Sequence, residues 1–292
     1  MRNRLLSSLC GLFSLSFGAT AATPPVPPLQ ANELHFISAN AEFTLLHEMG
    51  HLLINELQLP VLGREEDAAD QLGFMGLFLF ADKHRNSDFY AKLLDIADYW
   101  RLEWQRPKTP DEEVYVWDSH GLDAQRFYNI ACLAYGSDPD NVEWIINATG
   151  LPAERAMYCD QEYQQVARSV NWLKQHFRRP PGTPIEHAIS VIYEPPPVSL
   201  AHGAEMLSKV RASGQLETVA KAASEAFALP RDLTLRLTSC GADDSWYNSF
   251  TGELTLCYER LAHFQQLAQQ LPRLRAIETE QLNPPISQAD TP

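Results

Sequence analysis

Along the first half of the chain, apolar residues recur at three- and four-residue steps, the spacing of one helix face. Phe43, Leu46, Gly50, Leu53 and Leu57 keep that step from Ala41 onward, and Ser38 or Asn40 offers a side chain to cap the start. Pro60 and Gly63 in "QLPVLGR" break this helix. A second helix is predicted from Glu65 into "LGFMGLFLFADK", and a third over Ser87–Gln105. Residues 106–123 are polar and read as a long loop, a place where functional residues collect. Further helices are expected over "DAQRFYNIACLAYG", 141–149 and 152–177.

The pattern then changes. "RRPPGTP" and "YEPPPVS" flank "IEHAISVIY", whose β-branched residues suit a short strand. Helices over 201–213 and 216–227 follow. "DLTLRLTS" alternates, with Leu233, Leu235 and Leu237 on one face, and "SWYNSFTGELTLCYE" reads as a hairpin about Thr251-Gly252. One more helix covers 259–271. No short-period repeat is present. The pattern predicts an α+β protein, predominantly α-helical. Residues 33–180 form a helical part, 181–275 an α+β part with the hairpin, and 276–292 a disordered tail.

The start of the chain reads differently. Arg2 and Arg4 precede an apolar run over 5–17, and "ATAATPP" follows, the order of a secretory signal peptide over 1–22. Ala19 and Ala21 fit the small-residue cleavage rule, which places the cut after Ala21 or Ala22. An uncleaved anchor is the alternative, but the apolar run is short for a span. Leu9, before Cys10, is too large for lipoprotein processing. Residues 23–32, with "TPPVPPLQ", read as a proline-rich stalk. No later segment is long and apolar enough to cross a bilayer. The expectation is an exported protein, periplasmic or secreted.

Export bears on the cysteines. Of five, Cys10 leaves with the leader, and Cys132, Cys159, Cys240 and Cys257 remain. An even number in an oxidising compartment suggests two disulfides. Proximity favours Cys132–Cys159 and Cys240–Cys257, and no Cys-x-x-Cys spacing supports a cysteine zinc site. With 292 residues, 45% of them hydrophobic, the chain can bury a real core. Its formal charge is −14, and loss of the two leader arginines takes it to −16. That excess argues against nucleic acid or an anionic membrane as partner.

The candidate chemistry lies in "LLHEMGHLLINELQLPVLGREEDAAD". His47 and His51 are four apart, so on a helix they share a face and meet one Zn²⁺ without distortion. Glu48 lies about 100° around the helix, beside the ion, where it can take a proton from water. A solvated helix would also carry His and Glu, but the neighbours Phe43, Leu45, Leu46, Leu52, Leu53 and Ile54 make this helix apolar nearly all round. Buried imidazoles and a buried carboxylate need partners, and a metal supplies them. A third ligand should come from the returning second helix. Glu66 and Asp70 share a face there with the small Ala69 and Gly73, which allow close approach at Gly50. Glu66 is therefore the expected ligand, and Asp70 the acceptor for a histidine N–H. Glu65 and Asp67 point elsewhere, to solvent or to capping the first turn.

His47 to His51, followed by Glu66-Asp67-Ala68-Ala69-Asp70, resembles the gluzincin pattern His-Glu-x-x-His … Glu-x-x-Ala-Asp. More closely, the stretch resembles a bacterial zinc metallopeptidase family catalogued as a domain of unknown function. The likeness continues through "HGLDAQRFYNIACLAYGSDP", "LPAERAMYCDQEY" and "CGADDSWYNSFTGELTLCYE". It implies zinc-dependent peptide hydrolysis, a peptide or protein substrate and a zincin-like fold. Zincins bind substrate along a sheet-edge strand that usually precedes the active-site helix. Here the strand "ELTLCYE" comes after it. Either the fold is circularly permuted, with the C-terminal part packed against 41–57, or that part is a separate domain. A zincin-fold binding or scaffold protein of the cell envelope, without turnover, is the competing function. Such a protein would often lose Glu48, which is present.

Hydrolysis also needs a donor for the developing oxyanion. His120 in the long loop is the first choice, ahead of Arg126, which can instead pair with an acid, and Tyr128, which also suits a core position. His84, His176, His187, His202 and His263 lack ligand spacing and are expected to be structural or surface residues.

Overall fold

The computed structural model describes residues 27–81, 85–107 and 117–282. The expected signal peptide, the start of the stalk, His84, residues 108–116 of the 106–123 loop and residues 283–292 lie outside the described residues.

The central element is α1 (Ala31–Glu56). It begins at Ala31, not near Ala41, and so takes over the end of the predicted stalk. Gln30 opens it by donating its backbone N–H to Glu33 at 2.7 Å. Ser38 and Asn40 lie inside the helix and cap nothing. Asn40 is buried and donates to the carbonyls of Phe36 at 3.0 Å and Asp95 at 3.2 Å. The polar residues that interrupt the periodicity here have partners on a later helix, α3 (Ser87–Gln105): Lys92 meets Glu42 at 2.6 Å, and His35 meets Asp95 at 2.5 Å.

After α1 the chain reverses, with Gln58 at φ 52°, and returns as α2 (Glu65–Phe80). The crossing is close. A Cβ added at Gly73 would lie 2.9 Å from the His47 nitrogen, and one at Gly50 would lie 3.1 Å from Ala69 Cα. The two helices meet backbone to backbone, as the small residues on that face of α2 predict. Beside them pack α3 and α4 (Asp123–Gly136), followed by the short α5 (Trp144–Thr149) and α6 (Ala153–Ala156), and then α7 (Cys159–Phe177). The helix predicted over 152–177 is thus two, with α7 starting where a disulfide joins Cys159 to Cys132.

The α+β part contains β1 (Ile189–Tyr193), α8 (Gly203–Ser213), α9 (Gln215–Ala226), β2 (Leu233–Thr238), β3 (Ser245–Asn248), β4 (Glu253–Cys257), α10 (Tyr258–Ala268) and α11 (Leu271–Leu282). The strand order is β1-β2-β4-β3. The first three run parallel, and β3 pairs antiparallel with β4 at the edge. This corrects the assignment of "ELTLCYE" as the edge strand. That segment is β4, enclosed by β2 and β3 and buried from Leu254 to Cys257, so its neighbour β3 holds the edge. The Cys240–Cys257 disulfide ties the loop before β3 to the end of β4.

The sheet does not stand apart from the helices. β3, β4, α9 and α10 all pack on α1, and one hydrophobic core includes Leu52, Ile96, Leu235 and Leu254. Arg231 and Tyr247 both donate to Glu56 at the end of α1. α11 continues past the expected start of a disordered tail at 276, because Leu271 and Leu274 enter the core and Arg275 reaches Asp95 and Asp98, each at 2.7 Å. The protein is α+β and predominantly helical. Among the described residues, no helix is long and apolar enough to cross a membrane.

Candidate metal centre

His47 and His51 stand one turn apart on α1, and their Nε2 atoms lie 3.2 Å from each other. Glu66, in the first turn of α2, brings Oε2 to 3.2 Å from His51 Nε2 and 3.4 Å from His47 Nε2. The other ring nitrogens face carboxylates. His47 Nδ1 is 2.8 Å from Asp70, and His51 Nδ1 is 2.8 Å from Glu65. Asp70 in turn accepts from Arg126 Nε at 2.8 Å and Nη2 at 2.5 Å. Burial would raise the Asp70 pKa, but the charge of Arg126 and the contact with His47 hold it below the ordinary value.

These residues fit a transition-metal ion. The three separations of 3.2, 3.2 and 3.4 Å match edges of a tetrahedron whose corners lie about 2.0 Å from its centre, the bond length of zinc to imidazole or carboxylate. Carboxylates 2.8 Å from both Nδ1 atoms favour the proton there, the tautomer that would leave each Nε2 free to ligate a metal. Two nitrogens and one oxygen suit Zn²⁺ better than the harder Ca²⁺ or Mg²⁺, which favour oxygen alone. Among the described residues this is the one group whose ligand atoms converge, all within 4.8 Å of one another.

Glu48 is 7% exposed and lies beside the pair. Burial pushes its pKa up to about 7, against the lowering charges of His47 and His51, with Glu66 and Asp244 adding to the rise. A carboxyl group tuned near neutrality suits proton transfer. For Glu66, burial would raise the pKa, but its contacts with His120, His47 and His51 hold it well below the usual carboxylate range.

His120 reaches the same cluster. Its Nε2 is 3.0 Å from Glu66 and its Nδ1 3.0 Å from Asp118, and the Glu66 contact raises its pKa. Arg64 donates to the His120 carbonyl at 3.2 Å, which links the long loop to the start of α2. The other two donor candidates are used elsewhere. Arg126 is committed to Asp70 and lies 3.5 Å over the Trp100 ring, and Tyr128 packs on Phe127 and Trp104.

Glu65 departs from the expectation of a solvent-facing or capping residue. It also accepts from Asn55 at 2.9 Å, so it ties the C-terminal half of α1 to α2. The signal was available: both imidazoles need an Nδ1 partner, and Asp70 serves only one. Asp118 and Asp244 were not singled out either. Asp67 pairs with Arg64 at 2.9 Å. The remaining described histidines have structural partners: His263 with Glu103, His202 with Glu205, His187 with Asp232 and His176 with the Trp172 carbonyl.

The sequence matches a family described as "putative metallopeptidase" over residues 27–174 and 197–283. No curated protein and no solved structure matches the chain.

Proposed function

The chain belongs to this metallopeptidase family, and from that premise we propose that it is an exported zinc-dependent peptidase with a zincin-like, circularly permuted architecture. The observation that carries the reading is the convergence of His47, His51 and Glu66 beside the buried carboxyl of Glu48. One Zn²⁺ per chain, held by the three, supplies a Lewis acid that polarises a peptide carbonyl and acidifies water.

The chain's own groups do the rest. Glu48 takes a proton from the attacking water, whose oxygen bonds to the carbonyl carbon. As the C–N bond breaks, Glu48 returns that proton to the leaving nitrogen and is regenerated. His120, oriented by Asp118, donates its Nε2–H to the carbonyl oxygen as negative charge develops there. Asp70 and Glu65 hold the two imidazoles in register. The outer edge of β3, packed on α1, receives an extended peptide as an added antiparallel strand. The two disulfides support export, since such bonds persist in oxidising compartments.

Elemental analysis of the mature chain should find zinc that is lost in His47→Ala and Glu66→Ala. In a peptide-library screen Glu48→Gln should keep zinc and stability while hydrolysis falls at least ~10²-fold. Equal cleavage by wild type and Glu48→Gln would remove Glu48 from the reaction. A zinc-loaded wild type that cleaves nothing in the library would favour a binding or scaffold role.

A further inference from the structure

On the side of α1 away from Glu48 lies a cavity of about 320 Å³. Four helices wall it, with Leu46 and Met49 from α1, Leu79 from α2, Leu173 from α7 and Val219 from α9. Lys174 is the one polar side chain in its lining. A second cavity, of about 470 Å³, shares Lys174, Ala226 and Phe227 with the first and adds Arg178 and Arg179. The apolar chamber therefore adjoins, through Lys174, a pocket that carries two more cations, on a chain whose net charge is −14.

Those cations are not neutralised locally. Among the described residues, Lys174 and Arg178 have no carboxylate partner, and both are exposed. Arg179 gives its guanidinium to carbonyl oxygens, those of Glu225 at 2.8 and 3.1 Å and Thr183 at 3.0 Å. The one acid lining the second cavity, Glu225, faces Lys221 at 3.5 Å. Leu79 and Phe80 are 54% and 37% exposed, so the apolar wall reaches the surface.

We propose that this cavity binds an anionic single-chain amphiphile, a fatty-acid carboxylate. The acyl chain lies between α1, α2, α7 and α9, and the carboxylate rests against Lys174 and Arg178. The chemistry of the walls selects this occupant. A peptide segment would bring backbone N–H and C=O groups that these side chains cannot satisfy. A neutral hydrocarbon would leave the cations unused. A two-chain lipid asks for more than a cavity at the small end of ligand-site volumes.

The test is calorimetric titration of the mature zinc-loaded protein with octanoate, decanoate and dodecanoate below their micelle concentrations. One saturable site is expected, tightening about fourfold for each added methylene. Lys174→Glu should weaken dodecanoate at least ~10-fold, and Ala222→Trp, which fills the chamber from α9, should abolish binding. Zinc content and urea midpoint in both variants establish that they fold. Absence of saturable dodecanoate binding by the wild type overturns the proposal. So does equal affinity for the uncharged dodecyl maltoside. Binding that survives both cavity variants but disappears in His47→Ala would place the carboxylate on the metal ligands and also overturn it.

Discussion

Gly73 is where helix packing and the metal site meet. A methyl group there would sit 2.9 Å from His47 N, 3.1 Å from His47 Cα and 3.3 Å from Leu46 C. All three are backbone atoms and cannot turn aside. To restore an ordinary contact, α2 must retreat from α1 by roughly 0.5 Å. Gly76 supplies the comparison, because a methyl there meets the tips of the Leu46 side chain at 3.1 and 3.2 Å. Both Gly→Ala changes gain the same helix propensity, about 1 kcal/mol, so their difference isolates the retreat. Overpacking against fixed atoms costs about 1–3 kcal/mol, and Gly73→Ala should be less stable than Gly76→Ala by that amount. Glu66 and Asp70 ride on the displaced helix, so zinc affinity should fall at least ~10-fold in Gly73→Ala and hold in Gly76→Ala. Urea denaturation of the metal-free protein measures the first effect, and competition with a chelator the second. Equal stability and equal zinc affinity in the two variants would refute the argument that backbone contact sets the site.

Three further outcomes are expected. Asp70→Asn should weaken zinc ~10–100-fold with hydrolysis falling alongside, because the carboxylate orients His47; chelator competition that finds wild-type affinity would remove Asp70 from that role. Opening Cys132–Cys159, which closes a 27-residue separation, should cost about 3–4 kcal/mol in the chain-entropy account, and the 17-residue Cys240–Cys257 about 3 kcal/mol, both read from urea midpoints of Cys→Ser pairs. Glu56 is held below its ordinary value of 4.5 by its hydrogen bond from Arg231, against burial and with help from Tyr247. A depressed pKa gives stability that is present above pH 4.5 and lost as pH falls through the lower folded value, so Glu56→Gln should flatten the fall in urea midpoint between about pH 5 and 3.

Much of the site could be read from residue spacing alone. The four-residue step of His47 and His51, and the shared phase of Glu66, Ala69, Asp70 and Gly73, depend only on helical geometry. The structure brings those residues together across the Gly50–Ala69 crossing. What escaped depends on partners distant in the chain. The first turns of α1 look polar because the acceptors of Asn40 and His35 and the donor for Glu42 come from α3. Arg126 could be recognised as a donor, but not that its acceptor is Asp70. The edge strand was misplaced by one because alternation marks a strand without saying which of its sides is paired. Glu65 was lost to a rule about first helical turns, although His51 needed a partner.

Glu56, at the end of the helix that carries the histidines, receives its hydrogen bonds from Arg231 and Tyr247, 175 and 191 residues further along the chain. β3 and β4, which flank the same helix, likewise come from far along the chain. Contacts so distant in sequence form late and slowly. During synthesis the His-Glu-x-x-His helix therefore leaves the ribosome long before the strand that borders it. Until β3 and β4 have been made, the nascent chain carries that helix without its C-terminal packing, and the surroundings of the site stay open. For a chain expected to be exported, the order of the segments acts as a timer, keeping the candidate site incomplete until β3 and β4 have been made.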